Sequence, residues 1–162
     1  MVARKSDRKT AGRGGTPGDA IALLKTDHKE VRTMIEQFNK SRSETKQAQL
    51  AEQICSALEI HAEIEEEIFY PAARQALRKN DDLIDEAEVE HASVKELIAK
   101  IRAGSPGDGL WEAQVKVLGE YVNHHVKEEE GEIFPKVRNT KLDLKAIGEQ
   151  MAARKSELGA AV

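Results

Sequence analysis

Two stretches of the chain carry the same metal-binding pair: His61-Ala-Glu-Ile-Glu65 and His125-Val-Lys-Glu-Glu129. Each lies in a longer echo, HAEIEEEIFYP at 61–71 and HVKEEEGEIFP at 125–135, which align without a gap. A histidine and a glutamate four residues apart share a helical face one turn apart. Each stretch therefore presents one imidazole nitrogen and one carboxylate able to bridge two cations. His28 and His91 add two more imidazoles, and each of these sits in an apolar setting. Ile21 and Ile35 flank His28 at seven residues, Ile54 and Ile68 flank His61, and Ile84 and Ile98 flank His91, while Leu118 stands seven before His125. Seven residues is close to two helical turns, so each ring points where its helix is most apolar.

Four imidazoles and two carboxylates suit two iron ions bridged by carboxylate and by an oxo or hydroxo group. Manganese or zinc also fits on ligand type. Cys55 is the only cysteine, so a thiolate zinc site or an iron–sulfur cluster is excluded. A single histidine on an apolar face is usually satisfied by its core neighbours. Four of them, two with the same glutamate spacing, call for a common partner, and a buried ionised carboxylate without a cation costs several kcal/mol. Most glutamates in the runs 63–67 and 128–130 must face water, because a helix cannot turn three consecutive side chains inward. Glu65 and Glu129 are the ones on the stripes. His124 with Glu128 is a second pair at the same spacing, but His124 lies about 120° from the Leu118 stripe and His125 about 20°. His124 is therefore assigned to the surface or to the rim of the site.

The elements that must hold these groups are helices. Only four prolines occur in 162 residues, good helix formers dominate, and no alternating β-branched run is present. Helices are predicted over about 19–40, 44–78 with Pro71 as a kink or stop, 81–103 and 110–134, with a shorter amphipathic segment over 142–158. Ser41 or Ser43 is suited to cap the second helix. The loop 103–109, Ala-Gly-Ser-Pro-Gly-Asp-Gly, is the clearest break. Short connections imply antiparallel neighbours, so the expected architecture is all-α: an up-down-up-down four-helix bundle over 19–138. Residues 1–18 read as a disordered basic arm, and 139–162 as a C-terminal amphipathic helix and tail. A net charge of −4 makes nucleic acid an improbable partner. No apolar run spans a membrane, no secretory leader is recognisable, and a lone cysteine gives no sign of an oxidising compartment, so the expected location is cytoplasmic.

The order H…HxxxE…H…HxxxE, carried by His28, His61 with Glu65, His91, and His125 with Glu129, resembles the hemerythrin-like family, the HHE cation-binding domains. The resemblance spans roughly residues 19 to 138. It implies that His28 and His61 serve one iron, His91 and His125 the other, and that Glu65 and Glu129 bridge. Oxygen-carrying hemerythrins have a fifth histidine on the third helix, four residues from its partner. Here Ala87 and Lys95 occupy those positions relative to His91. Water or another residue must fill the place, and Tyr121 and Glu88, each about one turn before a ligand histidine, are candidates. The missing nitrogen points away from simple oxygen carriage, towards a small diatomic or peroxide ligand that is bound, sensed or detoxified. The alternatives are a di-iron peroxidase or oxidase, and an iron-binding regulatory module with a protein partner of unknown identity.

Overall fold

Apolar residues recur every three to four positions along long stretches rich in helix formers, and side chains cap three of the helices. In the computed structural model, which describes residues 18–78 and 81–161 (the side chain of Asp81 excepted), these stretches are α1 (Ala20–Lys40), α2 (Glu44–Ile64), α3 (Tyr70–Leu77), α4 (Asp81–Ala103), α5 (Trp111–Glu128), α6 (Phe134–Arg138) and α7 (Leu144–Ala160). Asp19 caps α1 by accepting from the Ala22 amide at 2.9 Å. Ser43 does the same for α2 through Lys46, and Asp143 for α7 through Ala146. Trp111 donates its indole N–H to the Ile101 carbonyl at 3.0 Å and so closes the α4–α5 loop.

α2 and α3 form one rod joined by a π-helical turn, Glu65–Phe69, and α5 and α6 form another joined by Glu129–Ile133. The cause is readable in the chain. Pro71 and Pro135 have no N–H, and in a regular helix their rings would strike the carbonyl four residues earlier. The backbone takes in one extra residue per turn instead. The Tyr70 N–H bonds to the Glu65 carbonyl, and the Phe134 N–H to that of Glu129. Neither proline ends its rod.

Alternating helix direction is visible in how the core divides. One apolar cluster gathers Val31, Ile35 and Phe38 from late α1, Leu50 to Leu58 from early α2, Val94 to Ile101 from late α4, and Trp111 to Val126 from α5. The other gathers Ala20 to Leu24, Ile64 to Ala73, Ile84, Ala87 and Ile133 to Val137, closed by Met151 of α7. The four rods are thus antiparallel in turn, and His28, His61, His91 and His125 lie between the two clusters. The fold is the expected four-helix bundle with a further C-terminal helix. That helix packs on α1, α2 and the first π turn. The basic arm expected at 1–18 falls almost wholly outside the described residues. Among the described residues no helix is long and apolar enough to cross a membrane.

Candidate metal centre

All four imidazoles and both glutamates are buried, and Glu65 and Glu129 are fully so. His28, His61, Glu65 and Glu129 each bring one ligand atom within 4.8 Å of the others, and Glu65, His91 and His125 do the same beside them. Glu65 belongs to both groups. Glu129 faces His28 (3.1 Å to Nε2) and His125 (3.4 Å to Nε2). The six residues picked out by spacing thus meet in one layer.

The π turns place the glutamates, because each turn begins on the carboxylate residue itself. The tautomers are placed by an outer ring of carboxylates. With the proton on Nδ1, His61 donates to Asp27 (3.1 Å), His91 to Glu66 (2.9 Å), His125 to Glu90 (2.7 Å) and His28, at the limit of a hydrogen bond, to Glu130 (3.5 Å). Every Nε2 is thereby left facing inward, the arrangement that carboxylates impose on metal-binding imidazoles. The cross-pairing has an approximate twofold pattern. The acid before His28 serves His61, and the acid before His91 serves His125. The acid after Glu65 serves His91, and the acid after Glu129 serves His28.

The inner atoms show what the site lacks. His28 Nε2, His61 Nε2, both oxygens of Glu65 and one oxygen of Glu129 are buried with no hydrogen-bond partner. His28 and Glu129, and His61 and Glu65, approach one another without hydrogen-bond alignment. Five orphaned atoms in one layer would be costly in a satisfied core. They are hard-to-borderline donors, nitrogen and oxygen, converging at ligand spacing, and a divalent or trivalent cation fits them, with a second position offered beside it by Glu65, His91 and His125. Without metal, protons compensate. Burial alone would drive His61 down, but Glu65, Asp27 and Glu129 outweigh it and raise its pKa to about 10. His125 is likewise raised against its burial, by Glu129 and Glu90, to about 11. Burial works to neutralise Glu129, yet His125, Glu65 and His28 hold it well below the usual carboxylate range.

Two candidates for the place of the missing histidine do not reach it. Tyr121 is 46% exposed, in a surface groove with Glu90, Ser93 and His124. Three residues from Leu118 put it at the edge of the stripe rather than its centre. Glu88 is bound to Arg74 at 3.0 Å on the outside of α4. His124 is at the surface, as expected, paired with Glu128 at 3.2 Å and 3.9 Å from Glu90. The side chain that reaches the layer is Tyr70. Fully buried, its hydroxyl donates to Glu129 at 2.7 Å and lies 3.2 Å from His91 Nε2 and 3.4 Å from His125 Nε2. Burial, with Glu129 and Glu65 adding to it, holds the phenol well above its ordinary value. The equivalent position in the second echo is Phe134, which stacks on His28 at 5.9 Å. The twofold pattern is therefore broken at this pair, with a hydroxyl at the His91/His125 half and none at the other. Asp27, Glu66, Glu90 and Glu130 also went unassigned from sequence, although the doublets Asp27-His28 and Glu90-His91 repeat.

Beside the layer is a narrow apolar cavity of about 30 Å³, walled by Val31, Leu58, Val94, Val122 and Val126 and floored by His28, His61 and His125. It has room for about one water-sized molecule.

Comparison with known proteins gives the family and a shared fold. The family model described as the hemerythrin HHE cation-binding domain matches residues 19–137. A crystal structure of a hemerythrin HHE cation-binding domain-containing protein from Mycobacterium kansasii superposes with a TM-score of 0.74 at 25% identity, covering 89% of each chain. A DNA nickase of Nostoc sp. (strain PCC 7120 / SAG 25.82 / UTEX 2576) is 31% identical over 117 residues, which is 72% of this chain and 33% of that protein.

Proposed function

This chain belongs to the hemerythrin HHE cation-binding family, and from that premise we propose that it is a non-haem di-iron protein whose centre engages dioxygen, peroxide or nitric oxide. His28 and His61 would hold one iron and His91 and His125 the other, with Glu65 and Glu129 between them. The observation that carries this reading is the set of inward nitrogen and oxygen atoms left without partners in the layer. The mixed imidazole and carboxylate set around two adjoining positions suits iron, and zinc or manganese fits the same ligand types. When bound, reduced iron supplies the electrons for holding or reducing a small oxidant.

The chain's own residues do the rest. The outer carboxylates fix four imidazoles with Nε2 inward. The narrow valine-lined cavity, about 30 Å³, gives a small oxidant an apolar approach to His28, His61 and His125. Tyr70 donates to Glu129 and brings its hydroxyl to within 3.4 Å of His91 and His125, the half of the layer next to the missing histidine's helix. A buried phenol at that place also favours the second reading, in which peroxide is turned over. The nicking activity named for the Nostoc protein is not carried over, since the chain spans a third of that relative's length.

The test is iron loading followed by metal analysis and absorption spectra with and without oxygen, nitric oxide and peroxide. Two irons per chain with a spectrum that changes reversibly on adding a diatomic ligand is the expected result. Catalytic disappearance of peroxide supports the enzyme reading. A purified chain that takes up no iron overturns both.

A further inference from the structure

α7 lies outside the four-helix bundle, yet its polar side chains reach one half of the metal layer. Lys155 bonds Asp27 at 2.5 Å, and Asp27 in turn accepts from His61 at 3.1 Å. Arg154 grips Glu67, in the π turn that begins at Glu65, with two bonds of 2.7 and 3.0 Å. The register is set by Gly148, where any side chain would run into the α1 N-terminus. A Cβ there would stand 2.7 Å from the Ala20 amide nitrogen and 2.9 Å from the Asp19 carbonyl carbon. Seven residues on from Gly148 is Lys155, and seven on from Ala20 is Asp27. The two helices run side by side in the same direction, and that seat brings the lysine to the aspartate. Among the described residues, no side chain of α7 bonds an outer carboxylate of the His91/His125 half. Its outer carboxylates meet Lys95 of α4, at 2.7 Å from Glu66, and His124 of α5, at 3.9 Å from Glu90.

We infer that Lys155 is a positioning residue for one metal only: by fixing Asp27 it orients His61, so that the Lys155–Asp27 tie governs retention of the His28/His61 ion and leaves the His91/His125 ion alone. Asp27 is almost wholly buried, so its charge needs a cation to stay in place. With Lys155 gone the carboxylate is free to turn towards water and release the imidazole. Loss of an outer partner of a metal-bound histidine weakens the metal by about 10–100-fold. Lys155 acts through Asp27, and the low end is expected.

This inference rests on the di-iron reading, and the experiment separates the two. Wild-type chain and Lys155→Met are loaded with ferrous iron alone under argon, challenged with a chelator, and the iron released is followed in time. In Lys155→Met one iron should leave about tenfold faster while the other keeps its wild-type rate. Lys155→Arg should return most of the slow phase. In a His61→Ala chain, where the tie has nothing left to orient, adding Lys155→Met should change nothing. Equal acceleration of both irons, no acceleration of either, or a full effect in the His61→Ala chain would overturn the inference. A wild-type chain that never holds iron would overturn the centre itself.

Discussion

Glu129 is the residue on which most of the layer's opposing forces act. It is fully buried, bonded by Tyr70, close to His28 and His125, and still ionised. Replacing it, or His61, removes a ligand and strands its neighbours. His61→Ala and Glu129→Ala are therefore each expected to lower bound iron and the thermal midpoint together, because the site lies within the core. Metal analysis beside a melting curve checks this, and unchanged iron in both variants would remove these residues from the centre. Tyr70→Phe is subtler. It keeps the ring and leaves a Glu129 oxygen unpaired, an expected cost of about 1–3 kcal/mol in the metal-free protein, and it should change the spectrum of the iron-loaded one. Tyr121→Phe should do neither. The sequence reading named Tyr121 as a candidate and did not find Tyr70, for a definite reason. Five residues after Glu65 at about 100° each leaves Tyr70 about 140° off the ligand face of a regular helix. The π turn takes in an extra residue and brings it back. His28, His61, His91 and His125, by contrast, were legible because each has an apolar residue seven positions before it on a regular stretch of helix, outside both π turns.

The helices were legible to within a few residues for the same reason, with long uninterrupted stripes and short loops. The π turns were not, because an i→i+5 turn leaves no periodic trace over five residues. The one available signal was the repeated interval from Glu65 to Pro71 and from Glu129 to Pro135. That interval makes a prediction about the element. Pro71→Ala restores an N–H and removes the ring that opposes a regular turn, so the rod gains helix propensity. The turn then has less reason to stay wide, and Glu65 should lose its aim. The expected outcome is a chain with unimpaired helix content by circular dichroism that releases iron to a chelator faster than wild type. Equal or slower release would show that the π turn is held by the layer and not by the proline. α7 was expected from sequence only as a short amphipathic segment over 142–158. Its seat on α1 makes Gly148→Val an overpacking change against backbone that cannot yield. A loss of about 1–3 kcal/mol in denaturant unfolding is expected.

At the scale of the whole molecule, the layer couples stability to pH in opposite senses with and without metal. In the metal-free protein His61 and His125 are raised from about 6.5 to about 10 and about 11. The folded chain thus binds protons that the unfolded chain has lost, and this stabilisation is complete below about pH 6.5. It drains away as pH rises through the folded values. Glu129 is depressed, so its contribution is present above its ordinary value of 4.5 and is lost as pH falls through the lowered one. Metal-free protein should therefore be most stable between about pH 4.5 and 6.5 as far as these groups decide, and weaken steadily towards pH 10. Iron needs the same imidazoles unprotonated, so loading at neutral pH must expel the protons of both His61 and His125. The increase in unfolding midpoint on adding iron should then grow with pH. Denaturation of stripped and loaded protein at about pH 6 and about pH 8.5 reads both slopes, and a pH indicator in weak buffer counts the protons released on loading. Stability of the stripped chain that rises over this interval, or loading with no acid release, would mean that the imidazoles are already neutral and that the buried charge is balanced in another way.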